Sequence, residues 1–345
     1  MWEDVRIMKT KNTPETLQKQ SVLSKLTGSS NFGIFMALVF MVVIFTSMKG
    51  SYLSKANILN ILISCSIVGL VAIGETYLMI AGQIDMSPGS ISAFSGVLVA
   101  VLLKAGWPMV PAILVTLLAG TMIGALNAFL VTKLEISFFI ATLATQSIFR
   151  GLAFIICGGK SIGVNNQTFL KIGTTRIAGV ALPIIIFLVL FLVFAIILEK
   201  TRFGRSIYMV GGNSNAARLA GIQSNKVITK LFLLSGFMAS LGGIILAARM
   251  NSGQPSASEG LEFDAVTGCV LGGIAMSGGI GSMTGAFIGL LIMQGFGNGL
   301  SVLGVQSFWQ KVAKGLLLIA ALAFDLWRKK QREREMLRKM EQGNH

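Results

Sequence analysis

Val180-Ala-Leu-Pro-Ile-Ile-Ile-Phe-Leu-Val-Leu-Phe-Leu-Val-Phe-Ala-Ile-Ile-Leu198 runs without a single charged side chain and stops at Glu199-Lys-Thr-Arg202. A helix rises about 1.5 Å per residue, so about 20 such residues cross the roughly 30 Å hydrocarbon core of a bilayer. The same texture recurs along the chain. Candidate spans are Phe32–Met48, Ile58–Ala81, Pro88–Leu103, Met109–Val131, Phe138–Cys157, Val180–Leu198, Leu231–Arg249, Ala265–Met276, Gly281–Ser301 and Val312–Trp327. The eighth is too short to cross unless it is tilted or broken. Composition agrees with this reading: of 345 residues 53% are hydrophobic and 12% charged, against about 25% charged in soluble domains. The expected fold is all-α, one polytopic membrane domain over residues 32–327 with about ten transmembrane helices. Residues 1–31 form a polar N-terminal segment rather than a cleaved leader, and residues 328–345 a basic tail.

The net charge of +15 would suggest nucleic acid in a soluble protein. Here the basic residues flank apolar runs, so no nucleic-acid partner is expected and the charge reads as orientation in the bilayer. Residues 1–31, Lys133, the stretch 199–230 and the tail hold nineteen of the 29 Lys and Arg. The short loops at the other end hold six: Lys49, Lys55, Lys104, Lys160, Lys171 and Arg176. The positive-inside bias places both termini in the cytoplasm. The tail, from Arg328 to Lys339, reads as a helical extension at the anionic inner leaflet.

Several chemistries are excluded. The one histidine, His345, leaves no His-dependent zinc site and no His-based triad. Cys65, Cys157 and Cys269 match no metal spacing. Gly159-Lys-Ser161 mimics the end of a P-loop, but Phe154 stands where its first glycine is required. Gly279-Ile-Gly281 opens a dinucleotide fingerprint that Thr284 breaks. No catalytic residues, metal or cofactor are therefore expected on this chain.

Small residues recur at four-residue spacing: Gly120 with Gly124, Gly281 with Gly285 and Gly289, and Gly295 with Gly299. Such spacing lets helices approach closely, either inside one protomer or between subunits. Away from the span ends, Glu75 and Arg150 are the charged residues inside spans. Gly82-Gln-Ile-Asp-Met-Ser-Pro-Gly89 interrupts two apolar runs. It is either a short cytoplasmic turn with Pro88 in the first helical turn, or a break at membrane depth lining a transport path.

Residues 199–230 are too long for a simple turn. Asn213 or Ser214 can cap a short helix through Leu219, with Gly221 beyond its end. Ala216, Leu219 and Ala220 then share an apolar face on a helix lying along the membrane. That face suits either anionic lipid or the groove of a cytoplasmic partner.

Four stretches carry a family resemblance. They are Ile73-Gly-Glu75-Thr76 with Gly82 to Ser90; Phe139-Ile-Ala-Thr-Leu143 with Arg150-Gly151; Thr201 to Arg205 through Gly211-Gly-Asn213, Ala216-Ala217 and Gly221-Ile222; and Glu262-Phe-Asp264 through Gly272-Gly273 and Ser277 to Ser282. In order and spacing they resemble the integral-membrane permeases of ABC importers for ribose, xylose and related sugars. Glu75, Gln83 and Pro88 depart from the usual residues of that pattern.

The resemblance implies a bacterial inner-membrane subunit translocating a ribose-like monosaccharide or related small polar solute. A second permease copy or paralogue, an extracytoplasmic sugar-binding protein and a cytoplasmic ABC ATPase complete the machine, and ATP binds to the ATPase. The expected coupling residues are Gly204, Arg205, Gly211, Asn213, Ala216, Arg218 and Gly221. Asp85, Ser87, Asn127 and Thr142 are expected to face the translocation path. An ion-coupled secondary transporter is the alternative. It accounts for Asp85 beside a broken helix and for Glu75, and leaves the long basic loop without a role.

Overall fold

The computed structural model describes residues 32–343. It is a bundle of helices, α1 (Phe32–Met48), α2 (Lys55–Ile80), α3 (Pro88–Lys104), α4 (Met109–Thr132), α5 (Phe138–Ile156), α6 (Gln167–Thr174), α7 (Leu182–Lys200), α8 (Arg202–Gly212), α9 (Ser214–Leu219), α10 (Ser224–Met250), α11 (Leu261–Leu271), α12 (Met283–Val302) and α13 (Ser307–Gly343). Two small antiparallel pairings complete it: β1 (Ile162–Gly163) with β4 (Ser252–Gly253), and β2 (Arg176–Ile177) with β3 (Val180–Ala181). Among the described residues, seven helices are long and apolar enough to cross a membrane, and α1 and α3 are shorter apolar helices. The 1–31 segment lies outside the described residues.

Most expected spans fall within a few residues of a helix. Two differ in kind. The span expected over Ala265–Met276 is the 11-residue helix α11, which starts at Leu261 and is followed by a glycine-rich turn over 272–282. The charged pair Glu262 and Asp264 in its first turn hides that start from an apolar scan. The tenth expected span is α13, which begins at Ser307, before Val312, and carries Lys311 inside it.

α2 and α10 form the centre. α2 is buried on every face from Cys65 to Ile80, as an interior helix must be. α10 packs along α2, α3 and α4. Outside these, Phe40, Leu118, Ile155, Leu192 and Ile319 point outward and are exposed, the pattern expected where lipid is the solvent.

Lipid tails are as apolar as leucine, so helices in a bilayer associate through close packing. The glycine spacings supply that packing within one protomer. A Cβ on Gly124 would overlap the Phe232 carbonyl of α10, and one on Gly236 would lie 3.0 Å from the Gly124 Cα. Gly285 and Gly289 of α12 abut Gly272 and Gly268 at the end of α11, while Gly295 and Gly299 receive Met41, Tyr52 and Phe45 from the α1 side. These are backbone approaches that a larger side chain cannot share. Gly236→Leu is expected to separate α10 from α4 at a cost of about 3 kcal/mol or more, the upper end for overpacking. The check is the thermal midpoint in detergent, and an unchanged midpoint would contradict this packing.

Candidate functional site: a buried carboxylate knot and an exposed helical hairpin

The segment between α2 and α3 turns at the helix end and climbs back. Gly82 sits at φ +76°. The amide of Gly82 donates to the Met79 carbonyl and that of Gln83 to Leu78, both at 2.9 Å, the pattern of a Schellman cap. Ile84 to Ser87 then run back into the interior, all buried, until Pro88 opens α3. The segment is thus a turn at one end of the bundle joined to a buried non-helical stretch inside it.

Backbone running through a membrane interior needs internal partners, and the Asp85 and Glu75 carboxyls supply two of them. Its Oδ1 accepts from the Ser87 amide at 2.9 Å and the Ser87 hydroxyl at 2.6 Å, and its Oδ2 from the Ser235 hydroxyl of α10 at 2.8 Å. Asn127 of α4 donates to the Ser87 hydroxyl at 2.8 Å and reaches Asp85 at 3.5 Å. Thr145 of α5 donates to the Asn127 Oδ1 at 2.7 Å. The Asp85 amide in turn faces the Glu75 carboxyl of α2 at 3.4 Å. Asp85, Ser87 and Asn127 have 0% exposure. Five elements therefore meet in one sealed knot.

Three of the four residues expected at a path, Asp85, Ser87 and Asn127, come together here. Thr142 does not join them: its hydroxyl donates to the Phe138 carbonyl of its own helix at 2.7 Å. Thr145 and Ser235, absent from the sequence reading, take its place. Arg150 donates to the carbonyls of Pro255 at 2.8 Å and Ala257 at 2.7 Å. It pins the 251–260 segment against α5.

The stretch after α7 is more ordered than a loop with one short helix. Thr201 caps α8 by accepting from the Gly204 amide at 3.1 Å. α8 buries Gly204, Ile207 and Val210 on one face, and Arg205 is exposed. Asn213 then caps α9, its Oδ1 accepting from the Ala216 amide at 3.0 Å. Past its end, Gly221 at φ +81° donates to Arg218 and Ile222 to Ala217, a second Schellman cap. Both caps stand where the sequence places them. Ala217 is the buried residue of α9, so Ala216, Arg218, Leu219 and Ala220 face outward, and Leu219 is 89% exposed.

The hairpin is tied to the knot's turn. A Cβ on Gly211 would overlap the Ile80 carbonyl and lie 2.8 Å from the Gly279 nitrogen. The Gly279 amide donates to that same Ile80 carbonyl at 2.8 Å, and Tyr208 of α8 donates to Gly281 at 2.9 Å. Burial, and then the Glu199 carboxylate, raises the Tyr208 phenol above its usual range and keeps it a donor. Gly211, Ile80 and the 278–281 turn form a three-way joint.

Comparison with known proteins places this architecture. Residues 57–322 match the family described as branched-chain amino acid transport system, permease component. The chain belongs to that permease family. It is 39% identical over 295 residues to the ribose import permease protein RbsC of Bacillus subtilis, covering 85% of this chain and 92% of the relative. It is 35% identical to the L-arabinose ABC transporter permease protein AraH of Azospirillum brasilense, covering 87% and 88%. The AraH permease of Escherichia coli is 36% identical over 79% of this chain and 84% of its own length. No solved structure matches. The permease is a multi-pass protein of the bacterial inner membrane. Membership of an ABC permease family sets aside the ion-coupled carrier.

The knot makes a stability prediction for the permease. Asp85→Ala leaves the Ser87 and Ser235 donors unpaired and costs about 3 kcal/mol. Ser235→Ala removes one interhelical bond and costs about 1 kcal/mol. Denaturation midpoints in mixed micelles check both, and equal, negligible shifts would contradict the arrangement.

Proposed function

We propose that the permease is the membrane-spanning subunit of an ATP-driven importer for a sugar, a ribose-like monosaccharide or related small polar solute. An extracytoplasmic binding protein delivers the sugar and a separate cytoplasmic ATPase supplies the energy. The ribose and arabinose permeases among its relatives support a sugar over the amino acids of the family description. ATP binds to the partner ATPase, and this subunit carries no cofactor and no catalytic residues of its own. A second permease copy or paralogue completes the pathway, and the bilayer surrounds both.

The chain crosses the membrane ten times, with α11 and the 251–260 segment together making one crossing, and both termini are cytoplasmic. Nineteen of the 29 Lys and Arg fall on the side bearing α8 and α9, which supports this orientation. The transmembrane unit is 32–327, the coupling segment 199–230, and residues 328–345 extend along the cytoplasmic leaflet.

The observation that carries the reading is the hairpin of α8 and α9. One end offers Leu219, Ala216 and Arg218 to the cytoplasm, and the other bears on Ile80 through Gly211. A motor docked on α9 moves α8 as a lever, and the joint passes that movement to the turn below Asp85. Gly204 and Gly211 permit the two contacts of the lever. Asn213 and Gly221 hold the shape of α9, and Arg205 and Arg218 face the ATPase. Asp85, Ser87 and Asn127 govern the path from within by holding the α3 start in one position, and Thr142 acts beside them on α5.

Gly221→Pro forces φ to about −65° where the cap requires a positive value, and Arg218→Glu reverses the exposed charge. Each should lower transport-coupled ATP hydrolysis by about tenfold or more, a loss equal to about 1.4 kcal/mol of docking energy, while the permease still accumulates in the membrane. Wild-type coupling in both variants would refute the lever.

A further inference from the structure

Between α5, α11, α12 and α13 lies a cavity of about 580 Å³, within the range of about 300–1,000 Å³ of small-molecule sites. Its walls hold Gln146, Glu262, Asp264, Thr267 and Lys314, with Phe263 beside them. Glu262 is 1% exposed; its Oε1 accepts from the Gln146 amide at 2.8 Å, and its Oε2 has no hydrogen-bond partner. Lys314 Nζ meets Asp264 Oδ2 at 2.6 Å. Phe263 is 44% exposed.

Charged groups at a helix face cannot be left against hydrocarbon, where each costs about 2.5–3.5 kcal/mol or more. This groove is therefore covered by protein or water. Its chemistry matches a neutral polyhydroxyl ligand. Glu262 and Asp264 offer acceptors, Lys314 and Gln146 donors, and an exposed phenyl ring supplies a flat surface for the C–H face of a sugar. An anion would meet Glu262 and Asp264, and no cluster among the described residues suits a metal ion. The Asp85 knot, in contrast, is fully sealed and has no room for a solute.

We propose that this cavity is the sugar-binding part of the transport path contributed by one permease chain, with Glu262 and Lys314 as its hydroxyl-recognising groups. The inference rests on the sugar-importer reading above. It also links the two ends of the mechanism. Glu262 packs against Gly89, where a Cβ would lie 3.2 Å from the Glu262 Cδ and 2.6 Å from the Ser258 carbonyl oxygen. Gly89 follows Ser87 of the knot by two residues, so a sugar that shifts Glu262 bears on the same helix start that the α8 lever reaches from the other side.

The test is uptake of radiolabelled D-ribose and L-arabinose by the complete transporter in cells lacking other pentose carriers. Wild type is compared with Glu262→Gln and Lys314→Met, with membrane level and the thermal midpoint in detergent as folding controls. Both variants should lose about tenfold or more of uptake and change the ribose-to-arabinose ratio at normal membrane level. Wild-type rate and ratio in both would overturn the site while leaving the sugar reading intact. A wild type that imports neither pentose would overturn the ribose-like assignment and the site built on it. Phe263→Cys in a Cys157→Ser background gives an independent readout, since Cys65 and Cys269 are buried. A membrane-impermeant maleimide should label it, and pentose with the transporter's binding protein should slow that labelling. Labelling indifferent to sugar, or none, would overturn the assignment.

Discussion

The carboxylate of Asp85, sealed from solvent and fed by the Ser87 amide and hydroxyl and the Ser235 hydroxyl, is the constraint on which the rest of the permease depends. The chain between α2 and α3 runs through the interior as non-helical backbone, which lacks the internal hydrogen bonds of a helix. In a bilayer that backbone persists only where side chains satisfy it. Asp85 does so for the Ser87 amide, as Glu75 does for the Asp85 amide, and the same knot ties the start of α3 to α4, α5 and α10. The knot lies between the joint at Gly211 and Ile80 and the polar cavity at Glu262, so any movement of either reaches it.

This placement bears on how ATP hydrolysis is converted into passage of a solute. A ligand shifts a conformational equilibrium only by its difference in affinity for the two states. On the proposed mechanism, binding protein and ATPase prefer different positions of one element, and the α3 start lies between the Gly211 joint and the Glu262 cavity. The glycine contacts suit the task because packed backbones switch between discrete arrangements rather than deform continuously. Gly211 against the Ile80 carbonyl and Gly89 against the Ser258 carbonyl leave no compliant side chain to absorb the stroke.

The apolar runs, the Asn213 and Gly221 caps and the exposed α9 were legible from sequence because each follows a local rule of span length, capping or left-handed backbone. The members of the knot were only half legible. Asp85 and Ser87 announce themselves by interrupting an apolar run. Thr145 and Ser235 do not, since hydroxyls in membrane helices commonly bond their own helix, as Thr116, Thr121, Thr132 and Thr142 do here. Only the approach of α10 to α2, where a Cβ on Gly74 would meet the Ser235 Cα at 2.8 Å, distinguishes Ser235. Helix α8 was hidden by Gly204, Gly211 and Gly212, which suggest a turn. The spacing of Phe203, Ile207 and Val210 is helical, and two of the three glycines mark contacts rather than breaks. The charged wall of the cavity was not legible because Glu262 and Asp264, neighbours on α11, meet Lys314 only across fifty residues of chain.

The central claim is that this permease has no motor of its own and receives one at α9. Purifying the tagged chain from its native membranes in mild detergent, with and without ATP, tests that most directly. The account predicts a P-loop ATPase in stoichiometric amount, identified by mass, that is lost when Leu219 is changed to Glu. A partner-free oligomer, or an ATPase retained at full stoichiometry by Leu219→Glu, would contradict it.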